Sequence, residues 1–262
     1  FFNPALFDRA EAAYPTPLWT WDDLRRAATA TTDANFGIYG LALAPDASRL
    51  LAWLAADDRD GDPWRGADAL SSIENYVNLF TEGAAVDPLL LDSTWAGEAF
   101  GRGRAAMTLE ANWLIPYLAE QFPDLAYNVV ELPSGTSRRS TVAFGSCWAI
   151  SRRAAAPQAA LRLAAFLTTP DANRAWATAA GALPPAPDQA RAWLTTHPAY
   201  APFVAGLDYA LPWAGPPGFS ATLDSLNSLL AAATAGAATA ADVAARLDPA
   251  ATPAPTRAAP ED

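Results

Sequence analysis

Glu98-Ala99-Phe100-Gly101-Arg102-Gly103-Arg104-Ala105-Ala106-Met107-Thr108-Leu109-Glu110-Ala111-Asn112-Trp113 is the stretch on which the reading of the fold turns. Gly101-Arg102-Gly103 bends the chain. Arg104 to Leu109 has the length and composition of a short strand, and Asn112-Trp113 opens a helix that reaches Leu118. A strand that passes into a helix through a few residues is a unit of α/β architecture. The junction also carries Glu110, Asn112 and Trp113, a carboxylate, an amide and a large ring side by side.

Upstream, Thr20 is an N-cap and Asp23 stands at N3, a capping-box arrangement. Trp21, Leu24, Ala27 and Ala28 then make one apolar helical face. Gly37 to Leu41 reads as a short strand, residues 47 to 56 as a buried helix, and residues 66 to 82 as a helix stopped by Gly83. The turn Asp57-Asp58-Arg59-Asp60-Gly61-Asp62-Pro63 holds four carboxylates. A calcium loop counted from Asp58 fails, because Pro63 falls where glycine is needed and Ala69 where glutamate is needed. A solvated turn is the better reading.

Downstream, Ala126 to Leu132 alternates as a strand would, and Cys147 to Ser151 reads as a short apolar strand after the turn Gly145-Ser146. Pro157 starts a helix, which Thr169-Pro170-Asp171 restarts with an N-cap, a proline at N1 and an acid in the first turn; it runs to Gly181. Residues 184 to 206 read as short helices separated by prolines. Ser220 to Ala233 and the segment capped by Thr239 read as two more helices. Residues 248–262, rich in Pro and Ala, read as a disordered tail.

The 262 residues are 52% hydrophobic and 17% charged, enough to bury a core. The net charge of −11 comes with no basic cluster, which argues against nucleic acid and against anionic membranes. One cysteine, Cys147, and one histidine, His197, exclude an internal disulfide and make a zinc site untenable. No apolar run approaches the ~20 residues of a membrane span. The start, Phe1-Phe2-Asn3-Pro4, has neither the basic nor the apolar region of a signal peptide. Glu110 and Glu131 are the only attractive carboxylate pair for glycoside chemistry, and nothing in the sequence sets them face to face. No nucleophile elbow, phosphate loop or dinucleotide fingerprint is present. No catalytic residue, metal or cofactor is therefore assigned.

Three segments, in this order, resemble family 1 extracellular solute-binding proteins of ABC transporters, the type that takes sugars and maltodextrins. They are Asn3-Pro4-Ala5-Leu6-Phe7-Asp8 with Thr20 to Leu24, the stretch Glu98 to Trp113, and Phe144 to Ser151 followed by Ala164 to Pro170 and Gly181-Ala182-Leu183-Pro184. Asn112 and Ser146 stand where the family usually has glycine. The resemblance implies an α/β, two-lobe periplasmic-binding-protein-like (type II) fold. It places residues 1–142 in most of the second lobe, 143–210 in a segment returning to the first, and 211–247 back in the second. It further implies that the chain begins just after the first hinge crossing, with the N-terminal lobe incomplete. Residues 145–206 would then expose apolar surface, and the chain alone would bind weakly.

The same resemblance implies a monomeric carrier outside the cytoplasm, anchored as a lipoprotein in some members, that hands a carbohydrate to ABC permease subunits. Sugars offer apolar C–H faces and hydroxyl rims, which rings and polar side chains fit. Trp113, with Glu110 and Asn112, is the leading candidate for that contact. Trp213 and Tyr209 are the next, in a Pro/Gly-rich segment that the resemblance puts at the cleft. Gly145, Ser146 and Trp148 follow the second hinge crossing. Trp19, Trp21, Trp53, Trp176 and Trp193 read as structural. A non-sugar polar ligand, or a helical interaction domain using its aromatic residues, are the alternative readings.

Overall fold

The computed structural model describes residues 1–64, 68–214 and 219–247. Its first sheet is three parallel strands, β1 (Tyr39–Ala42), β2 (Ala85–Val86) and β3 (Ala105–Thr108), in the order β2-β1-β3. Parallel neighbours need crossovers, and helices supply them. Before the sheet come α1 (Pro4–Arg9) and α2 (Trp21–Thr31). Between β1 and β2 lie α3 (Ala47–Asp57) and α4 (Ala69–Thr81), and between β2 and β3 lies α5 (Ala96–Gly101). The strands are buried, as parallel strands covered on both faces must be.

The second helix starts where the capping box predicts. Thr20 Oγ1 accepts from the Asp23 N–H at 3.3 Å, and the Thr20 N–H donates to the Asp23 carboxylate at 2.8 Å. Its apolar face then lies directly on β1, which Gly40 makes possible. A Cβ at that position would fall 1.8 Å from the Ala28 carbonyl oxygen. The Gly40 N–H donates to Thr32 Oγ1 at 2.9 Å, so the close approach is also hydrogen-bonded.

After β3 the chain forms α6 (Leu114–Gln121), then β4 (Thr141–Ala143), α7 (Pro157–Leu167), α8 (Pro170–Ala180), α9 (Pro187–Trp193) and α10 (Ala201–Gly206). It closes with β5 (Ala210–Pro212), α11 (Phe219–Thr234) and α12 (Ala240–Leu247). The fourth and fifth strands pair in parallel as a separate two-stranded sheet. The last two helices return to α4 and enter the main core, where Leu226, Leu230, Val243 and Leu247 join Leu50, Trp53, Ile73 and Tyr76.

The buried members of that core come from residues 2–107 and 219–247. In contrast, α7 buries none of its residues, and Leu161, Leu163 and Phe166 face solvent.

Two expected strands are absent. Residues 126–132 make only an isolated bridge, Asn128 with Phe2, and Cys147 to Ser151 is exposed and unpaired in any strand. A strand is completed by a neighbour's ladder, which neither segment has among the described residues. The acidic turn is not a cation loop. Asp58, its side chain 1% exposed, accepts from the Asp60 and Gly61 N–H groups and from Arg138 at 2.7 Å. Asp57 accepts from Ser72 and from the Thr136 N–H. Together they tie the end of α3 to the loop that leads into β4. His197 sits at a turn, its ring stacked on Trp193 at 3.9 Å. Among the described residues no helix is long and apolar enough to cross a membrane, and no group of three or more His, Cys, Asp or Glu could hold a metal. The expected tail, residues 248–262, lies outside the described residues.

Candidate functional site

A cavity of about 790 Å³ opens at the C-terminal end of β3, the edge at which ligands collect in open parallel sheets. Its size is in the range of small-molecule sites. Its walls come from Phe1 and residues 15–24, the first half of α3, the β3–α6 junction, the segments 129–133 and 141–148, and the run from the end of α7 to β5.

Adjacent strands bring the polar centre together. The first strand leads into α3, whose N-cap Asp46 accepts from the N–H groups of Ser48 and Arg49, and this turn carries Arg49. Glu110 stands two residues past the end of the neighbouring β3. Arg49 Nη2 donates to Glu110 Oε1 and Oε2, each at 2.7 Å, and Trp113 Nε1 donates to Oε2 at 3.1 Å. The Glu110 side chain is 1% exposed. Burial pushes its carboxyl above the ordinary value, while Arg49 and the Trp113 N–H pull it back.

Trp113 is 38% exposed, and its ring meets Phe144 edge to face at 5.5 Å. From there an aromatic line continues inward, Phe144 to Trp213 at 6.0 Å and Trp213 to Phe219 at 5.7 Å. On another wall Glu131 accepts from Arg139 Nη1 at 2.8 Å and from the Tyr209 hydroxyl. Burial, and then the bond to Glu131, pushes the Tyr209 phenol well above its usual range.

Trp113, Asn112, Glu110, Tyr209, Gly145, Ser146 and Trp148 therefore line one cavity. Glu110 is sealed rather than open to it. Asn112 is engaged, donating from Nδ2 to the Gly181 carbonyl at 2.7 Å. Gly181 ends α8 with φ 60°, and a Cβ there would meet Pro116 at 2.5 Å, so α8 closes onto α6 at this point. Trp213 is placed elsewhere. It packs between Trp64, Phe219 and Phe144, behind the cavity wall.

Trp176, read from sequence as structural, is 63% exposed and lines the cavity. Trp19 lines it too, with its other side on the core. Arg49 and Phe144 were not anticipated. Arg49 had a signal: a lone charge within an apolar helix needs a partner.

The profile of the bacterial extracellular solute-binding protein family matches residues 1–202. Among solved structures, an ABC substrate-binding protein of Listeria monocytogenes in complex with cycloalternan is similar at 20% identity and a TM-score of 0.78. The match covers 94% of this chain and 66% of that one. A cyclic α-maltosyl-1,6-maltose binding protein of Arthrobacter globiformis is similar at 18% identity and a TM-score of 0.70, over 95% and 68%. A sugar-binding protein of Xanthomonas citri is similar at 15% identity and a TM-score of 0.72, over 94% and 65%. The chain thus spans about two thirds of the length of the structures it resembles. At such identities the likeness is one of fold. No curated protein matches the sequence.

Proposed function

Because the chain belongs to the bacterial extracellular solute-binding proteins, we propose that it takes part in capturing an uncharged carbohydrate in this cavity for delivery to an ABC importer. One observation carries the choice of ligand. The cavity is walled by Trp113, Trp148, Trp176 and Phe144, and the two carboxylates among its described lining residues, Glu110 and Glu131, are already paired with arginines. A polyamine would need unpaired carboxylates, and a phosphodiester would need an unpaired cation. A sugar needs neither: its C–H faces lie on rings and its hydroxyls take scattered hydrogen bonds. The bound sugars of the similar structures, cycloalternan among them, agree with this choice.

The division of the chain is part of the same reading. Residues 1–142 and 211–247 form one lobe, supported by the core that residues 2–107 and 219–247 share. Residues 143–210 belong to a second lobe, with β4 and β5 as the crossings between them. The carrier is monomeric, works outside the cytoplasm and in some settings is lipid-anchored. A ligand that touches both lobes stabilises the closed arrangement by its differential affinity, and no bond in it is made or broken.

The test is isothermal calorimetry with maltotetraose, α-D-tagatose, spermidine and glycerophosphocholine. Saturable binding of a sugar alone, lost in Trp113→Ala, is the expected result. Binding of spermidine or the phosphodiester, with no sugar response, would refute the carbohydrate reading.

A further inference from the structure

The two carboxylates at the cavity wall are bonded alike, each to an arginine and to the polar tip of an aromatic ring. Glu110 takes Arg49 and the Trp113 indole; Glu131 takes Arg139 and the Tyr209 hydroxyl. The geometry at Glu110 leaves little for a ligand to use. Its side chain is 1% exposed, Arg49 occupies both oxygens, and the indole N–H occupies one of them again.

Trp113 is in the opposite position. The residue is 38% exposed, and it stands where α6 begins without a side-chain cap. A tryptophan turns about two side-chain bonds, and a ring that must be ordered on binding weakens the complex. Phe144 touches one edge, and the bond to Glu110 fixes the polar corner. Arg49 in turn rests on Asp46 at 3.4 Å, so the ring is referred back to the start of α3.

We propose that Glu110, held by Arg49, is a positioning residue: it locks the Trp113 ring in the orientation that receives the sugar, and it does not touch the sugar itself. This rests on the carbohydrate reading above. Glu131 stands to Tyr209 as Glu110 stands to Trp113.

The first arm of the test uses ligand-free, ¹⁵N-labelled protein and follows the Trp113 indole N–H resonance, assigned by its loss in Trp113→Phe. In the wild type it lies downfield, as expected for an N–H held by a carboxylate. In Glu110→Ala it moves upfield toward the position of a solvated indole. In Arg49→Met, which removes the two bonds that hold the Glu110 carboxylate, the resonance shifts from its wild-type position. The second arm measures maltotetraose affinity. Loss of a hydrogen bond to a charged group predicts that Glu110→Ala weakens binding about tenfold. Glu110→Gln, whose amide oxygen still accepts from the indole, weakens it only about threefold. In a Trp113→Phe background either substitution changes affinity by less than about twofold, because Glu110 has no ring left to hold.

Equal losses in both backgrounds would show that Glu110 contacts the sugar, and would overturn the proposal. So would an indole resonance unmoved by Glu110→Ala. If the wild type binds no maltotetraose, the carbohydrate reading fails for that glucan, while the indole arm still decides whether Glu110 holds the ring.

Discussion

Gly40→Ala tests the packing on which the cavity depends. The methyl group would lie 1.8 Å from the Ala28 carbonyl oxygen, 2.3 Å from its carbon and 2.4 Å from Cα. Non-bonded heavy atoms settle at about 3.5 Å or more, so α2 would have to withdraw from β1 by roughly 1–2 Å. That lifts Leu24, Ala27 and Ala28 off the strand and stretches the 2.9 Å bond from the Gly40 N–H to Thr32. Overpacking costs about 1–3 kcal/mol, and the lost bond adds about 1 kcal/mol. A destabilisation of about 3 kcal/mol follows, a large part of the 5–15 kcal/mol that holds a typical domain together. Urea unfolding followed by far-UV circular dichroism measures it. Gly145→Ala is the internal control, since no atom lies within 4 Å of the Cβ it would add and its change should be near zero. A Gly40→Ala loss below about 1 kcal/mol, or one equal to that of Gly145→Ala, would refute the argument for a tight helix–strand contact.

Other outcomes follow from the same contacts. Arg138→Met leaves Asp58 buried with two N–H donors but no cation; thermal or urea unfolding should show a loss of about 2–3 kcal/mol. Trp176→Ala, in contrast, should leave the melting temperature within a degree or two and weaken sugar binding, because that ring is exposed at the cavity rather than packed. Acid stability should depend on the caps. Hydrogen bonds from Thr20 and Thr239 hold Asp23 and Asp242 below the ordinary value of 3.8. Their contribution is complete above that value and lost as pH falls through the lowered ones. Melting curves from pH 6 to pH 2.5 should therefore show wild type and Asp23→Asn/Asp242→Asn converging at the acid end. Glu110 works in the other sense, since its raised value favours the fold as it takes up a proton, so it cannot be the source of an acid loss.

Much of the local structure could be read without coordinates. The caps at Thr20, Thr169 and Thr239 are where their side chains imply, because a cap is decided by residues three apart. The helix α4 follows from periodic apolar residues for the same reason, and α3 from an apolar run that is buried along nearly its whole length. What failed was non-local. The alternation in residues 126–132 and the apolar run 147–151 look like strands until one asks which strand would pair with them. Trp113 stands out in the sequence by its position after a strand, and in the structure it lines the cavity. Trp176 was misjudged because a helix rich in alanine does not reveal which side is covered. Arg49 lies 61 residues from Glu110, and only the adjacency of β1 and β3 brings the two together. Trp213 misled in another way: a Pro/Gly-rich setting suggested a cleft, while the ring itself serves as backing for Phe144.

One further feature bears on how the protein is observed. The Trp21 and Trp53 rings lie parallel, 14° apart in plane, with centroids 3.8 Å from each other. Two indoles this close do not absorb independently. Their transitions mix, and the pair becomes a single chiral chromophore whose signal falls in the same far-ultraviolet region as the peptide bond. The helix content read from circular dichroism will therefore be offset by a couplet belonging to two side chains. Trp21→Phe removes that couplet while leaving the backbone in place. Because Trp53 is buried at the centre of the core and Trp21 lies at the start of α2, the couplet also reports on whether that helix is docked. It gives an optical signal for the first layer of the fold, separate from the fluorescence of the cavity.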